Sequence, residues 1–329
     1  MPRLGIIGTM VWDRIYARDR RMEPVEEWGG IAYALAAAVA ARREGWDLVP
    51  IVKIGRDLAE RAGHFLHSLP GLDLDTGLRV VPEPNNRVEL HYHEGARRTE
   101  RLTGGVPPWR FEELEPILKR LDALYINFIS GFELELETMV QVRMAFPGPI
   151  YADVHSLLLG VGAGGQRMYR PLDAWRDWLR CFDIVQVNED ELSWLAHAWG
   201  DPWHFAAEVV GDAPRLLLAT LGPRGAAYVA SPAFRPDPLT WRTGGTLAEP
   251  PVLGVPGAAR SEKVAIVTEP REGDPTGCGD VWGATCFSLL LAGEPLEEAM
   301  RAANRAAARN VEHMGATGLH LHLQGRIDT

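Results

Sequence analysis

The sequence is poor in cysteine and lysine, and it lacks any long apolar run. Cys181, Cys278 and Cys286 are the only cysteines in 329 residues, and no two form a C-x-x-C pair. So odd and scattered a set supplies neither a disulfide framework nor a four-ligand zinc site. The longest clearly apolar stretch, 31–41, is too short and too rich in alanine to span a bilayer. The opening residues, MPRLGIIG, hold no apolar core of a secretory signal. A soluble cytoplasmic protein is the expectation. Only Lys53, Lys119 and Lys263 of the 34 basic residues are lysine, which reads as coding bias rather than chemistry. Positive charge is also short: 44 acidic residues leave a net charge of −10. That excludes a general binder of nucleic acid or of anionic membranes, whose footprint is basic. It does not exclude a bound phosphate, which a nest of backbone N–H groups can hold on an acidic protein.

What is present is ordinary for a globular chain: 46% hydrophobic and 24% charged residues. The length allows two domains or one large α/β unit. Short apolar runs at 4–7, 48–54, 124–129, 150–154, 184–187, 216–220 and 264–267 read as buried strands. Helical patterns at 31–43, 58–69, 111–120, 133–145, 172–179 and 189–199 lie between most of them. Repeated strand–helix alternation predicts a parallel sheet covered on both faces. Two helices, 277–291 and 295–314, close the chain. Residues 79–103 differ: R-V-E-L-H-Y-H, a Glu94-Gly95 turn and the run 96–102 predict a hairpin with polar faces outside the main core. Six prolines and four glycines within 231–262 predict a long loop with at most short strands.

The sharpest segment is Asp274-Pro-Thr-Gly-Cys-Gly-Asp280, at the start of a predicted helix. A helix N-terminus offers free N–H groups and a positive dipole end, and Gly277 and Gly279 let the backbone approach an anion closely. Asp280 would repel a phosphate, so its presence makes sense where a hydroxyl must lose a proton beside that phosphate. The plainer alternative is an N-capping aspartate on a tight turn.

The same string, continued by Val-Trp-Gly-Ala, resembles the C-terminal signature of the ribokinase/PfkB-type carbohydrate kinases, D-T-T-G-A-G-D-x-F-x-A. Asp274, Thr276, Gly277, Gly279, Asp280 and Ala284 match, whereas Pro275, Cys278 and Trp282 depart. Other features follow in the family's order: Asp13, the Gly29-Gly30 pair before an alanine-rich helix, Asn188-Glu-Asp-Glu191, and Thr220-Leu-Gly-Pro-Arg-Gly225. The resemblance implies a ribokinase-like three-layer α/β sandwich, 1–329, with a central mostly parallel sheet and a small β lid from 13–28 and 86–103. It implies an ATP-dependent phosphotransferase acting on a hydroxyl of a sugar-like acceptor. Asp280 corresponds to the catalytic base, and Gly277, Cys278 and Gly279 to the anion hole. Asp13, Gly29 and Gly30 correspond to acceptor contacts. Asn188, Thr220, Gly222, Gly225 and Asn304 fall on the nucleotide side, and Glu191 on the Mg²⁺ side. Asp274 and Thr276 match a monovalent-cation border in some relatives.

Departures gather on the acceptor side. Tyr33, Ala34 and Leu35 stand where the family often has an asparagine, and Asp153-Val-His155-Ser156 replaces its usual Asp, Asn and Arg. A small-molecule sugar is the expected partner. A nucleoside remains the alternative, kept open by Trp12, Tyr16, Trp28 and Tyr92, as does a non-catalytic metabolite-binding relative. Exposed lid edges suggest a homodimer through the lid. A dinucleotide oxidoreductase fits poorly, because L-G-I-I-G lacks G-x-G-x-x-G and no helix follows it directly.

Overall fold

The computed structural model describes residues 1–16, 23–42, 45–92, 98–232, 234–241, 258–266, 271 and 273–326. Apolar strands and amphipathic helices alternate along it. The first part runs β1 (Arg3–Ile7), β2 (Met10–Tyr16), β3 (Val25–Gly30), α1 (Ile31–Ala41), β4 (Asp47–Gly55), α2 (Ala59–Ser68), α3 (Leu74–Gly77), β5 (Leu78–Val81), β6 (Arg87–Tyr92) and β7 (Arg98–Thr103). There follow α4 (Phe111–Leu118), β8 (Ala123–Asn127), α5 (Leu136–Ala145), β9 (Ile150–Asp153), β10 (Leu159–Val161), β11 (Arg167–Tyr169), α6 (Trp175–Arg180), β12 (Ile184–Asn188), α7 (Glu189–Leu195) and α8 (Pro202–Asp212). The chain closes with β13 (Leu216–Thr220), β14 (Ala226–Ala230), β15 (Arg260–Val264), α9 (Cys278–Leu291), α10 (Leu296–Asn310) and α11 (Leu319–Leu323).

Among the described residues, nine strands form one sheet in the order β15-β14-β13-β12-β9-β8-β1-β4-β5. It is parallel from β13 to β5, while β14 and β15 add antiparallel pairs at one edge. Both faces are covered, as a parallel sheet requires. One apolar core holds α1, α9 and α10 against Tyr125, Tyr151 and Tyr228. The other holds α4, α5 and α8 against Ile126, Val185 and Leu217. The α/β class and the mostly parallel sheet expected from the alternation are therefore present.

Differences lie at the element edges. The strand expected at 264–267 is β15, four residues earlier, because it pairs antiparallel with β14 and ends at Val264. The second long helix begins at Leu296, with Pro295 as its N-cap rather than in its first turn. Helix α8 and strand β14 were not foreseen. The predicted 94–95 turn lies outside the described residues.

A second sheet, β3-β2-β6-β7, stands off the first. Its strands fall in the described parts of the two segments expected to form a lid, although the first begins at Met10, and residues 17–22 and 93–97 of those segments lie outside the described residues. Its faces are not both polar, as the hairpin pattern suggested. Val11, Ile15, Val88, Leu90 and Leu102 are buried on one side, with Ile129 of the main body packed against them. Pairings Asp13 with Val88 and Ile15 with Leu90 put Asp13 on that inner face. Strand alternation puts Trp12 and Tyr16 on the other.

Candidate active site

The loop before α9 is shaped by its own side chains. Asp274 Oδ1 accepts from the Thr276 amide at 2.9 Å and from Thr276 Oγ1 at 2.6 Å, an Asx turn. Asn310 of α10 donates to the Thr276 carbonyl at 2.8 Å. Gly277 then caps the helix at φ +76°. A Cβ there would lie 2.3 Å from the Tyr33 ring, so both conformation and space demand glycine.

Of the three amides expected to face an anion, one is engaged within the loop. The Cys278 N–H donates to the Pro275 carbonyl at 3.2 Å, closing the turn. The amides of Gly277 and Gly279 make no backbone bond among the described residues and stand at the positive end of α9. Burial pushes the Cys278 thiol up to about 11. The thiol is therefore neutral at ordinary pH, with its Sγ 3.4 Å from the Ala307 carbonyl.

Asp280 lies in the first turn of α9 and is not the N-cap. Asn127, the fully buried last residue of β8, donates through Nδ2 to Asp280 Oδ1 at 2.7 Å. Gln186 of β12 ties the helix start to the sheet: its Nε2 donates to the Gly279 carbonyl at 3.0 Å and to Asp153 Oδ2 at 2.8 Å. Tyr151 holds Gln186 through its hydroxyl, at 2.5 Å from Oε1. Burial, and then the charges of Glu191 and Asp280, hold the carboxyl of Asp153, at the end of β9, well above the usual carboxylate range.

Asn188 and Glu191 form a reciprocal cap on α7. Asn188 Oδ1 accepts from the Glu191 amide at 2.9 Å, and the Asn188 N–H donates to Glu191 Oε2 at 2.7 Å. Glu191 Oε1 also accepts from Asn188 Nδ2 at 2.5 Å and pairs with His155 Nδ1. Burial opposes the charge on His155, but the attraction and hydrogen bond of Glu191 outweigh it and lift its pKa to about 9. Both Glu191 oxygens are thus engaged, and no group of three or more metal-ligating side chains occurs among the described residues. The residues present do not fit a resident Mg²⁺ held directly by Glu191.

On one side of the α9 loop lies a largely apolar cavity of about 530 Å³. Thr220, Gly222, Gly225, Cys278, Gly279 and Asn304 all line it, with Trp282 in the wall. Gly225 is at φ +90°, with the Val264 carbonyl 2.2 Å from where a Cβ would stand. Asn304 is spent internally, accepting from Trp282 Nε1 at 2.8 Å and donating to the Val264 carbonyl at 3.0 Å.

On the other side, Asp13 is buried against Gly29, where a Cβ would overlap its carboxylate at 1.7 Å. A Cβ on Gly30 would lie 2.6 Å from the Thr9 carbonyl oxygen and 2.7 Å from Ile129. Tyr33, on α1, reaches between the two sides. Its ring packs against Gly277, and burial together with the charges of Asp13, Asp274 and Asp280 pushes its phenol far up. Tyr33 thus lies within reach of the charges of Asp13, Asp274 and Asp280, with its ring on Gly277, while Gly29 backs Asp13. Asn127, Gln186 and Tyr33 were not singled out as functional from sequence. The available signal was a polar residue at the carboxyl end of a buried parallel strand, where clefts open in such sheets.

Residues 165–321 match the model of the pfkB family carbohydrate kinases. No curated protein matches the sequence. Among solved structures, Arabidopsis thaliana ribokinase complexed with ribose and ATP is 18% identical, covers 98% of both chains and superposes with a TM-score of 0.68. Burkholderia thailandensis nucleoside kinase in complex with inosine is 17% identical over 97% of this chain and 93% of that one, with a TM-score of 0.67. A pyrophosphate-dependent kinase of the ribokinase family, complexed with a pyrophosphate analog and myo-inositol, is 17% identical over 98% and 99%, with a TM-score of 0.70. The fold is ribokinase-like over the whole chain, and the resemblance to pfkB-type kinases expected from the sequence holds. No described helix is long and apolar enough to cross a membrane.

Proposed function

Taking as premise a chain of ribokinase-like fold whose residues 165–321 match pfkB carbohydrate kinases, we propose that the protein transfers the terminal phosphoryl group of ATP to a hydroxyl of a small polyhydroxylated acceptor. The observation that carries this reading is the position of Asp280. It stands in the first turn of α9, next to Gly279, which lines the apolar cavity, and its charge reaches the Tyr33 phenol, as that of Asp13 does. Phosphoryl transfer asks a protein mainly for positioning and charge stabilisation, and this arrangement supplies both.

The nucleoside part of the donor occupies the cavity, its adenine against apolar walls beside Trp282 and its phosphates toward the α9 loop. Asp13 accepts hydrogen bonds from acceptor hydroxyls. Asp280 takes the proton of the attacking hydroxyl while its oxygen forms a bond to the terminal phosphorus and the bond to the bridging oxygen breaks. The Gly277 and Gly279 amides meet the charge on the transferring group. A Mg²⁺ carried on the donor's phosphates, rather than held by Glu191, would neutralise part of their charge. The small sheet covers the cleft and keeps water from taking the phosphoryl group.

A pyrophosphate donor would leave the 530 Å³ apolar cavity without a role. A nucleoside acceptor loses the support of Trp12 and Tyr16, which lie on the face of β2 opposite Asp13; Trp12 packs edge-on to Trp28 and under Arg61, and Tyr16 stacks on His91. ADP formation measured over a panel of sugars, sugar acids and nucleosides tests the reading. Acceptor-dependent ADP release supports it, and tight acceptor binding without ADP release from any member would favour a non-catalytic metabolite binder.

A further inference from the structure

Arg167, on β11, is 7% exposed. Its Nη1 donates to the Ser130 carbonyl at 2.5 Å, while Nε and Nη2 have no hydrogen-bond partner although both are buried. Nε and Nη2 form one edge of the guanidinium, the edge that takes a carboxylate or phosphate through two parallel bonds. A guanidinium cannot shed its proton to relieve burial, and a buried charge without a partner is strongly unfavourable.

The neighbouring carboxylates do not fill this role. Glu133 accepts from Thr9 Oγ1, from Ser130 N and Oγ, and from the Ile129 and Gly131 amides, all at 2.6–3.0 Å, and makes no bond to Arg167. Glu100 on β7 attracts both Arg167 and His155, yet hydrogen-bonds to neither. Arg170 adds positive charge nearby.

The place of this edge in the fold matters. The β10–β11 hairpin rests on the small sheet: Arg101 Nε donates to the Gly164 carbonyl at 2.6 Å, and Gln166 bridges Arg101. Ser130, the hydrogen-bond partner of Arg167 among the described residues, follows Ile129, which packs against the inner face of that sheet and lies close to Gly30. Arg167 therefore sits in the seam between the main body and the small sheet, whose inner face carries Asp13.

We propose that Arg167 recognises an anionic group of the acceptor, so that the substrate is an anionic polyol, a sugar acid or a sugar phosphate, gripped by Nε and Nη2 while its hydroxyls lie toward Asp13 and Asp280. This rests on the acceptor-cleft reading above. Closing the lid over the ligand buries the ion pair, and the hairpin moves with the small sheet to admit it.

The test measures binding without nucleotide, so that it does not depend on chemistry. Thermal shift and calorimetry compare ribonate and gluconate, and ribose 5-phosphate and glucose 6-phosphate, with neutral ribitol, ribose and glucose; inorganic phosphate controls for a bare anion. At least one anionic set binds tenfold or more tighter than its neutral counterpart, and the set that does so distinguishes carboxylate from phosphate. Arg167→Gln abolishes that preference while ADP binding is kept. Should Arg167→Gln not fold, Arg167→Lys, which keeps the charge and loses the fork, reduces the preference severalfold. Equal binding of neutral and anionic members by the native protein overturns the proposal, as does anion preference surviving in the folded variant. ADP formation on neutral sugars without anion preference would leave the kinase reading standing and remove this one. Anion preference without turnover would do the reverse.

Discussion

Asn127 Nδ2 and Asp280 Oδ1 lie 2.7 Å apart, joining the end of β8 to the first turn of α9. This bond fixes the rotamer of the carboxylate assigned to take the acceptor's proton. Asn127→Ala removes the tether without touching either ligand. The expected result is a fall in kcat of about 10–100-fold, the cost of a small misplacement of a reacting group, with donor KM little changed. Steady-state kinetics with varied ATP and acceptor check it.

Burial, with the charges of Asp13, Asp274 and Asp280, keeps the Tyr33 phenol protonated, a donor and never an anion, at any ordinary pH. Tyr33→Phe keeps the ring that packs on Gly277 and deletes the hydroxyl. Loss of one neutral hydrogen bond, about 1 kcal/mol, raises acceptor KM by about 5-fold. An unchanged acceptor KM would make Tyr33 a packing residue only.

The sheet was legible because parallel strands buried on both faces read as plain apolar runs, as at Leu216–Thr220. Strand β15, R-S-E-K-V, was placed too late because four of its five residues are exposed at the sheet edge and carry no apolar signal. In the site, Gly277 and Asp280 stood out as a local string. Asn127, 153 positions away from Asp280, did not, since only the fold brings it there. The acidic Asn188–Glu191 turn shows the converse: its spacing suits both a ligand pair and a helix cap, and the structure builds the cap.

Gly277→Ala meets two penalties, a positive φ and the Tyr33 ring. The expected loss is about 1–3 kcal/mol of stability together with most of the activity. Thermal denaturation of Gly277→Ala with and without Tyr33→Ala separates them, since the second substitution relieves only the ring contact.

His155 gives a pH signature. Its pKa rises from 6.5 to about 9 in the fold, because the attraction of Glu191 outweighs burial. The protonated form is favoured by folding. Its contribution is therefore fully present below about pH 6.5 and is lost as pH rises through about 9. The melting temperature of the native protein falls more between pH 6.5 and 9.5 than that of His155→Gln. Parallel curves for the two would show that the pair contributes nothing.

The most direct test of the central claim is turnover by Asp280→Asn, which keeps the shape and removes the base. General base catalysis contributes about 10²–10⁴-fold. Acceptor-dependent ADP formation should fall by about that factor, while ATP binding by calorimetry stays within a few-fold of the native protein. Turnover within about 10-fold of native, measured with the same acceptor, would contradict the account.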